Sequence, residues 1–335
     1  MGIDLPVIWF IIIVFSTLMY IVMDGFDLGI GMLYPLIKSD QDRDVMMNTV
    51  APVWDGNETW LVLGGAALFG AFPLAYAVIL DALAMPLTLM LVALIFRGVA
   101  FEFRFKADNN HKGFWDKSFI FGSILATFMQ GVVVGSVVQG LPVVNRAFAG
   151  SYFDWLSPFA LFCGFGLVVA YSLLGCGWLI MKTEDHLQQN LYKVAKPLAL
   201  IMLAVIVVVS VWTPLAQPAI AERWFTLPNL FFFLPVPLLV LYSTWLILRS
   251  VKRQGHYLPF FGALALIFLG FAGLGISIWP NIIPPAISFV DASAPPESQG
   301  FMLVGALFII PIILVYTFWS YYVFRGKTNY EEGYH

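Results

Sequence analysis

Apolar residues run in stretches of about 20 or more, broken by short polar or proline-containing segments. This is the pattern of helices that cross a hydrocarbon layer, not of half-buried strands. The runs predict nine membrane spans, at about 6–36, 50–72, 74–105, 117–139, 155–181, 195–214, 228–249, 258–279 and 300–324. The first and third exceed about 30 residues, or roughly 45 Å at 1.5 Å per residue, so they must tilt or project beyond the bilayer. Only Phe72 and Pro73 separate the second from the third, which requires a very tight turn. The fold class is all-α and polytopic, with residues 1–335 in a single integral membrane domain. No loop exceeds about 20 residues, too short for a separate domain outside the membrane.

Composition removes the alternatives. Of 335 residues, 60% are hydrophobic and 11% charged, against about 25% charged in soluble domains. Mean hydropathy is +0.87. A net charge of -3 gives no electrostatic support for binding nucleic acid. Charge placement matters more than the total. With nine spans, every Lys and Arg except Arg97, Arg146 and Arg223 falls on one side of the membrane. That side is therefore expected to be cytoplasmic, with the amino terminus outside and the carboxyl terminus inside. The segment 280–300, with Pro284, Pro285, Pro295 and Pro296 and no basic residue, falls outside as it should. Met1 to Phe10 lacks Lys and Arg, so the first apolar run reads as a retained span, not a signal peptide. Pro6 stands where a myristoylation motif needs Ser or Thr. Glycines 164, 166, 175 and 177, and 262, 270, 273 and 275, are expected to let helices approach closely.

Candidate chemistry is sparse and unevenly placed. His111, His186, His256 and His335 fall in loops or the tail, so none can ligate a haem within the bilayer from a helix of this chain. Cys163 and Cys176, about 20 Å apart along one helix, cannot pair and read as inert buried thiols. Trp9, Trp54, Trp60, Trp155, Trp212, Trp224, Trp279 and Trp319 lie mostly near span ends, where an interfacial aromatic belt is expected. Ionisable residues inside spans are costly and mark function. They are confined to the first three spans: Asp24 and Asp27, then Asp55 and Glu58, then Asp81, Arg97 and Glu102.

Helical rise puts Asp27 roughly 14 Å, Glu58 and Arg97 about 12 Å and Asp55 about 8 Å from the cytoplasmic ends, all in one half of the membrane. Asp55 and Glu58, at i and i+3, face the same way. Two readings follow. In the structural one, Arg97 neutralises Glu58 or Asp27, while Asp24 and Asp27 bond to backbone at the glycines of D-G-F-D-L-G-I-G. In the functional one, the carboxyl groups form a ladder that takes protons from the cytoplasm towards mid-membrane, and one Arg for several acids favours it. Asp81 stands apart near the outer face.

The stretch D-G-F-D-L-G-I-G-M-L from Asp24, A-P-V-W-D-G-N-E-T-W-L from Ala51 and F-R-G-V-A-F-E-F-R from Phe96 together closely resemble subunit II of the cytochrome bd quinol oxidases. The length resembles the shorter form of that subunit, including the one in cyanide-insensitive oxidases. The resemblance implies two four-helix bundles plus one peripheral helix. It also implies a bacterial inner-membrane terminal oxidase that oxidises quinol and reduces oxygen to water with cytoplasmic protons. Haems b and d would then belong to a partner, subunit I, and this chain would bind none. A proton pathway carries over from the family to Asp55 of W-D-G-N, and burial within the spans, not the resemblance, adds Glu58, Asp27 and Asp24 as further members. Arg97, Glu102, Trp54 and Asn57 would be structural or charge-pairing residues. A bound quinone or lipid and small single-helix subunits are further expectations, with no residue assigning either. An independent ion-coupled transporter with midplane carboxylates is the alternative reading.

Overall fold

The computed structural model describes residues 4–108 and 110–328, so His335 lies outside the described residues. Thirteen helices are described: α1 Leu5–Leu33, α2 Asp40–Asn48, α3 Trp54–Ala71, α4 Pro73–Ala82, α5 Ala84–Arg104, α6 Lys112–Gln139, α7 Pro158–Lys182, α8 Asp185–Ala216, α9 Pro218–Phe225, α10 Asn229–Phe233, α11 Pro235–Lys252, α12 Leu258–Ile278 and α13 Pro296–Val323. Two small antiparallel hairpins, Val143–Val144 with Ala147–Phe148 and Asn281–Ile283 with Ile287–Ser288, lie between helices. Among the described residues, eight helices are long and apolar enough to cross a membrane. The pair α3 and α4, bent by 117°, makes a ninth if counted as one span.

Helix α1 packs on α3, α6 and α7, and α5 lies along α6. The second group is α7, α8, α11 and α12, while α13 rests on α3 and α1 at the periphery. Two four-helix groups and one outer helix result, joined where α6 and α1 meet α7. The closest approach there needs glycine. A Cβ on Gly29 of α1 would lie 1.9 Å from the Tyr171 carbonyl oxygen of α7, and one on Gly175 would lie 2.6 Å from Gly29. Small-residue contacts of this kind let dispersion and backbone proximity do what the hydrophobic effect cannot do in lipid. The expectation holds likewise for glycines 164, 166, 177 and 262. It fails for Gly270 and Gly275, which face open space, and Gly273, whose nearest neighbour is a Trp224 ring carbon at 3.9 Å.

Three expectations about the elements need correction. The third span does not begin at residue 74. The chain turns at Phe72 and Pro73 as expected, but α4 then ends at Ala82 and the spanning helix α5 starts at Ala84. Pro86 is the reason, since a helix running through it would lose its bond to the Ala82 carbonyl and clash there. The segment 40–48, expected to be loop, is the helix α2, started by the Ser39 hydroxyl accepting from the Asp42 amide at 3.2 Å. Helix α8 begins ten residues earlier than the apolar run, so Lys193 and Lys196 are helical. The aromatic belt is also incomplete: Trp9, Trp60 and Trp155 are buried in protein, whereas Trp279 and Trp319 are exposed.

Candidate functional site

Buried charge collects where α1, α3 and α5 meet. Asp24, Asp27 and Arg97 are completely buried. One nitrogen of Arg97, Nη2, serves two carboxyl groups, Asp24 and Glu58, the latter at 2.8 Å. The Asn57 side-chain amide donates to Asp27 Oδ2 at 2.8 Å, and the Tyr321 hydroxyl of α13 donates to Asn57 Oδ1 at 2.9 Å. The Arg97 guanidinium lies 5.7 Å from the ring of Trp54 and 5.6 Å from that of Phe101, two rings stacked 5.0 Å apart. Such faces hold a planar cation without supplying a counter-charge. Asp24 Oδ2, Asp27 Oδ1 and Arg97 Nε and Nη1 make no hydrogen bond to another described protein atom.

The i, i+3 and i, i+4 rows of the helices explain the grouping. Asp24 and Asp27 share one face of α1, and Asn57 and Glu58 occupy the first turns of α3, which starts beside them. Of the two partners expected for Arg97, Glu58 pairs with it and Asp27 does not; Asp24 is the second partner. Asp24 and Asp27 do not bond to backbone at the glycines, because within α1 the amides are already used by the helix itself. They turn to side chains instead.

Other expected members lie outside the buried group. Asp55 is exposed on the first turn of α3, within electrostatic reach of Glu102 and Arg97. Glu58 bridges the two environments, with 30% of its side chain exposed and one oxygen on Arg97. Glu102 is exposed and pairs with Lys106 at 3.4 Å, one turn on. Asp81 is exposed on α4.

Sequence reasoning missed the neutral half of the site. Tyr20 stands one turn from Asp24 on α1 and interacts with it. The Gln130 amide of α6 donates to the Tyr20 hydroxyl at 2.7 Å, and the Tyr171 hydroxyl of α7 donates to Gln130 Oε1 at 3.3 Å. The available signal was the i, i+4 spacing of Tyr20 and Asp24 in an otherwise apolar run. Tyr321 had none.

A second ionic cluster, also missed, lies nearer the basic end. Arg104, fully buried, bonds Asp116 at 2.5 Å and also Asp44. Lys112 reaches Asp44 at 2.9 Å and Arg43 reaches Asp116 at 2.8 Å, which ties α2 to α5 and α6. At the opposite end a cleft of 610 Å³ is lined by Phe10, Phe233, Phe271 and Trp279, with Arg223 and Asn229 as its polar groups.

The described histidines, His111, His186 and His256, are exposed at the basic end. No group of three or more His, Cys, Asp or Glu able to hold a metal ion occurs among the described residues.

The family model for cytochrome bd terminal oxidase subunit II matches residues 5–324. The chain is 31% identical to a probable cytochrome oxidase subunit 2 of Haemophilus influenzae, with 96% of this chain and 94% of that one aligned. It is 28% identical to the cytochrome bd-I ubiquinol oxidase subunit 2 of Escherichia coli, over 97% and 95% of the two chains. It is 29% identical to the cytochrome bd ubiquinol oxidase subunit 2 of Bacillus subtilis, over 97% of each. The fold resembles a chain of the bd oxidase from Geobacillus thermodenitrificans with a TM-score of 0.75 at 16% identity, covering 93% of this chain and 97% of that one. The chain belongs to the subunit II family of the cytochrome bd terminal oxidases.

Proposed function

We propose that this subunit of a cytochrome bd ubiquinol oxidase conducts protons from the cytoplasm to the oxygen-reducing centre, and that haems b and d are held by its partner, subunit I. The observation that carries the reading is Glu58, part exposed and part bonded to buried Arg97. Asp55, exposed one turn away, would collect protons at the surface. Glu58 would pass them to the group formed by Asp24 and Asp27. Asp24 and Glu58 share the one guanidinium and Asp27 rests on the neutral Asn57 amide, so acids outnumber bases in the cluster, the composition expected of a group that carries protons. The segregated basic residues support a cytoplasmic location for the end where Asp55 lies, and a bacterial inner-membrane setting.

Haems held elsewhere agree with the exposed positions of the described histidines. The outer cleft, apolar but for Arg223 and Asn229, has the size and lining to take a lipid or the isoprenoid chain of a quinone. The experiment is Asp55→Asn in the assembled oxidase. Turnover is expected to fall about 100-fold or more, the range by which a positioned proton-transfer group accelerates a reaction. Haem content should stay at the level of the unsubstituted complex. A collapse of the haem spectrum would make Asp55 structural, and unchanged turnover would remove it from the path.

A further inference from the structure

Helix α13 carries Tyr321 into the site, yet most of its length is exposed to the surroundings: Phe301, Leu307, Phe308, Ile312 and Phe318 are all more than half exposed. Contacts at its ends therefore help to fix its position along its own axis. At the basic end Lys182 is the centre of the contacts that hold it. Lys182, the last residue of α7 and 9% exposed, donates from Nζ to the Phe324 carbonyl at 2.7 Å and the Gly326 carbonyl at 3.0 Å. The Thr328 amide returns a bond to the Lys182 carbonyl at 2.8 Å, and Lys327 pairs with Glu184 at 3.2 Å. A cation on the carbonyls that end a helix is favourable both as a hydrogen-bond donor and against the helix dipole.

The same ammonium group lies 5.2 Å from the centre of the Trp178 ring. Trp178 is stacked on Phe26 at 4.3 Å and meets the Tyr321 ring edge-on at 6.0 Å. Phe26 lies next to Asp27 in the chain. Lys182 thus touches Tyr321's surroundings twice, through the backbone just beyond Tyr321 and through the ring packed against it.

We infer that Lys182 is a positioning residue for Tyr321: by holding the end of α13 and the face of Trp178, it sets the depth at which the Tyr321 hydroxyl meets Asn57, and so the geometry of the Asn57–Asp27 pair. Its effect on turnover rests on the proton reading above, whereas its effect on geometry does not.

The test uses the assembled oxidase carrying Lys182→Met, Lys182→Arg, Tyr321→Phe and the double substitution Lys182→Met with Tyr321→Phe. Two readouts are taken: quinol oxidase turnover, and the infrared carboxyl bands that Asp27→Asn abolishes. Lys182→Met and Tyr321→Phe should each lower turnover about fivefold, the effect of losing one ordinary hydrogen bond, and shift those bands alike. The double substitution should fall no more than about twofold further, because coupled residues are not additive. Lys182→Arg should restore both readouts. Unshifted bands in Lys182→Met, or a double substitution whose loss is the product of the two, overturns the positioning role. Shifted bands with full turnover in every variant would leave the positioning role standing and defeat the proton reading instead. Should Lys182→Met fail to assemble, Lys182→Gln, which keeps a donor for one carbonyl, is read in the same way.

Discussion

The Tyr321 hydroxyl donates to the side-chain oxygen of Asn57 at 2.9 Å across 264 positions of sequence. Asn57 is 1% exposed and spends its amide on Asp27, so its oxygen has little else to accept from. Tyr321→Phe removes the donor and keeps the ring that packs against Trp178. The expected cost is about 1–3 kcal/mol for the acceptor left unmade, read as a lower thermal midpoint of the purified complex. Unchanged stability would mean that another donor replaces the hydroxyl.

Arg97 is the only cation in contact with Asp24 and Glu58 among the described residues. Arg97→Met should prevent assembly or cost about 3–5 kcal/mol, the usual result of leaving a buried charge without its partner. Adding Asp24→Asn should recover part of the lost complex, since it removes a fully buried carboxylate that has lost its cation. Recovery is measured as haem per milligram of membrane protein. Equal loss in the single and double variants would argue that Arg97 acts through its packing on Trp54 and Phe101.

Much of this arrangement was legible in the sequence, and the limits have physical causes. The apolar runs and the one-sided basic residues mark the spans, because lipid leaves a chain few alternatives to a long apolar helix. The acids of the first three spans pointed to the place where α1, α3 and α5 meet, but their confinement there does not hold, since Asp116 on α6 is buried too. Which acid meets Arg97 was not legible, since Asp24 and Asp27 are less than one turn apart and the choice depends on how α1 is rotated against α5. Tyr321 was hidden for another reason: the fold brings α13 beside α3, and no local pattern records that. Helix α2 was readable from Ser39 and the acids that follow it, but surface charge there looked like loop. Asp55 illustrates the reverse case, a residue marked by its motif that the fold leaves on the rim.

The two ion-pair groups near the basic end should differ sharply in weight. Arg104 is buried and holds both Asp44 and Asp116, whereas the Glu102 to Lys106 pair is exposed on the helix surface. Arg104→Met is expected to release α2, seen as faster hydrogen exchange across residues 40–48. Glu102→Gln should change stability by less than about 0.5 kcal/mol and leave that exchange alone. Equal behaviour of the two variants would show that α2 is held by its apolar contacts, chiefly Val45, Met46 and Met47.

Gly29 and Gly65 offer the cleanest contrast, being the same residue type within spanning segments. At Gly29 a methyl group would sit 1.9 Å from the Tyr171 carbonyl oxygen, which belongs to the backbone of α7 and cannot swing aside. Gly29→Ala must therefore push α1 and α7 apart, and with them Asp24 and Asp27, which α1 carries. At Gly65 nothing lies within 4 Å of the added atom, and alanine is the better helix former by about 1 kcal/mol in water. Gly29→Ala is expected to abolish recovery of the assembled oxidase, whereas Gly65→Ala should assemble at normal yield. Expression of both in the same membranes, with complex quantified by haem absorbance, decides the matter. Normal assembly of Gly29→Ala would mean that the contact between α1 and α7 can open without loss of the fold.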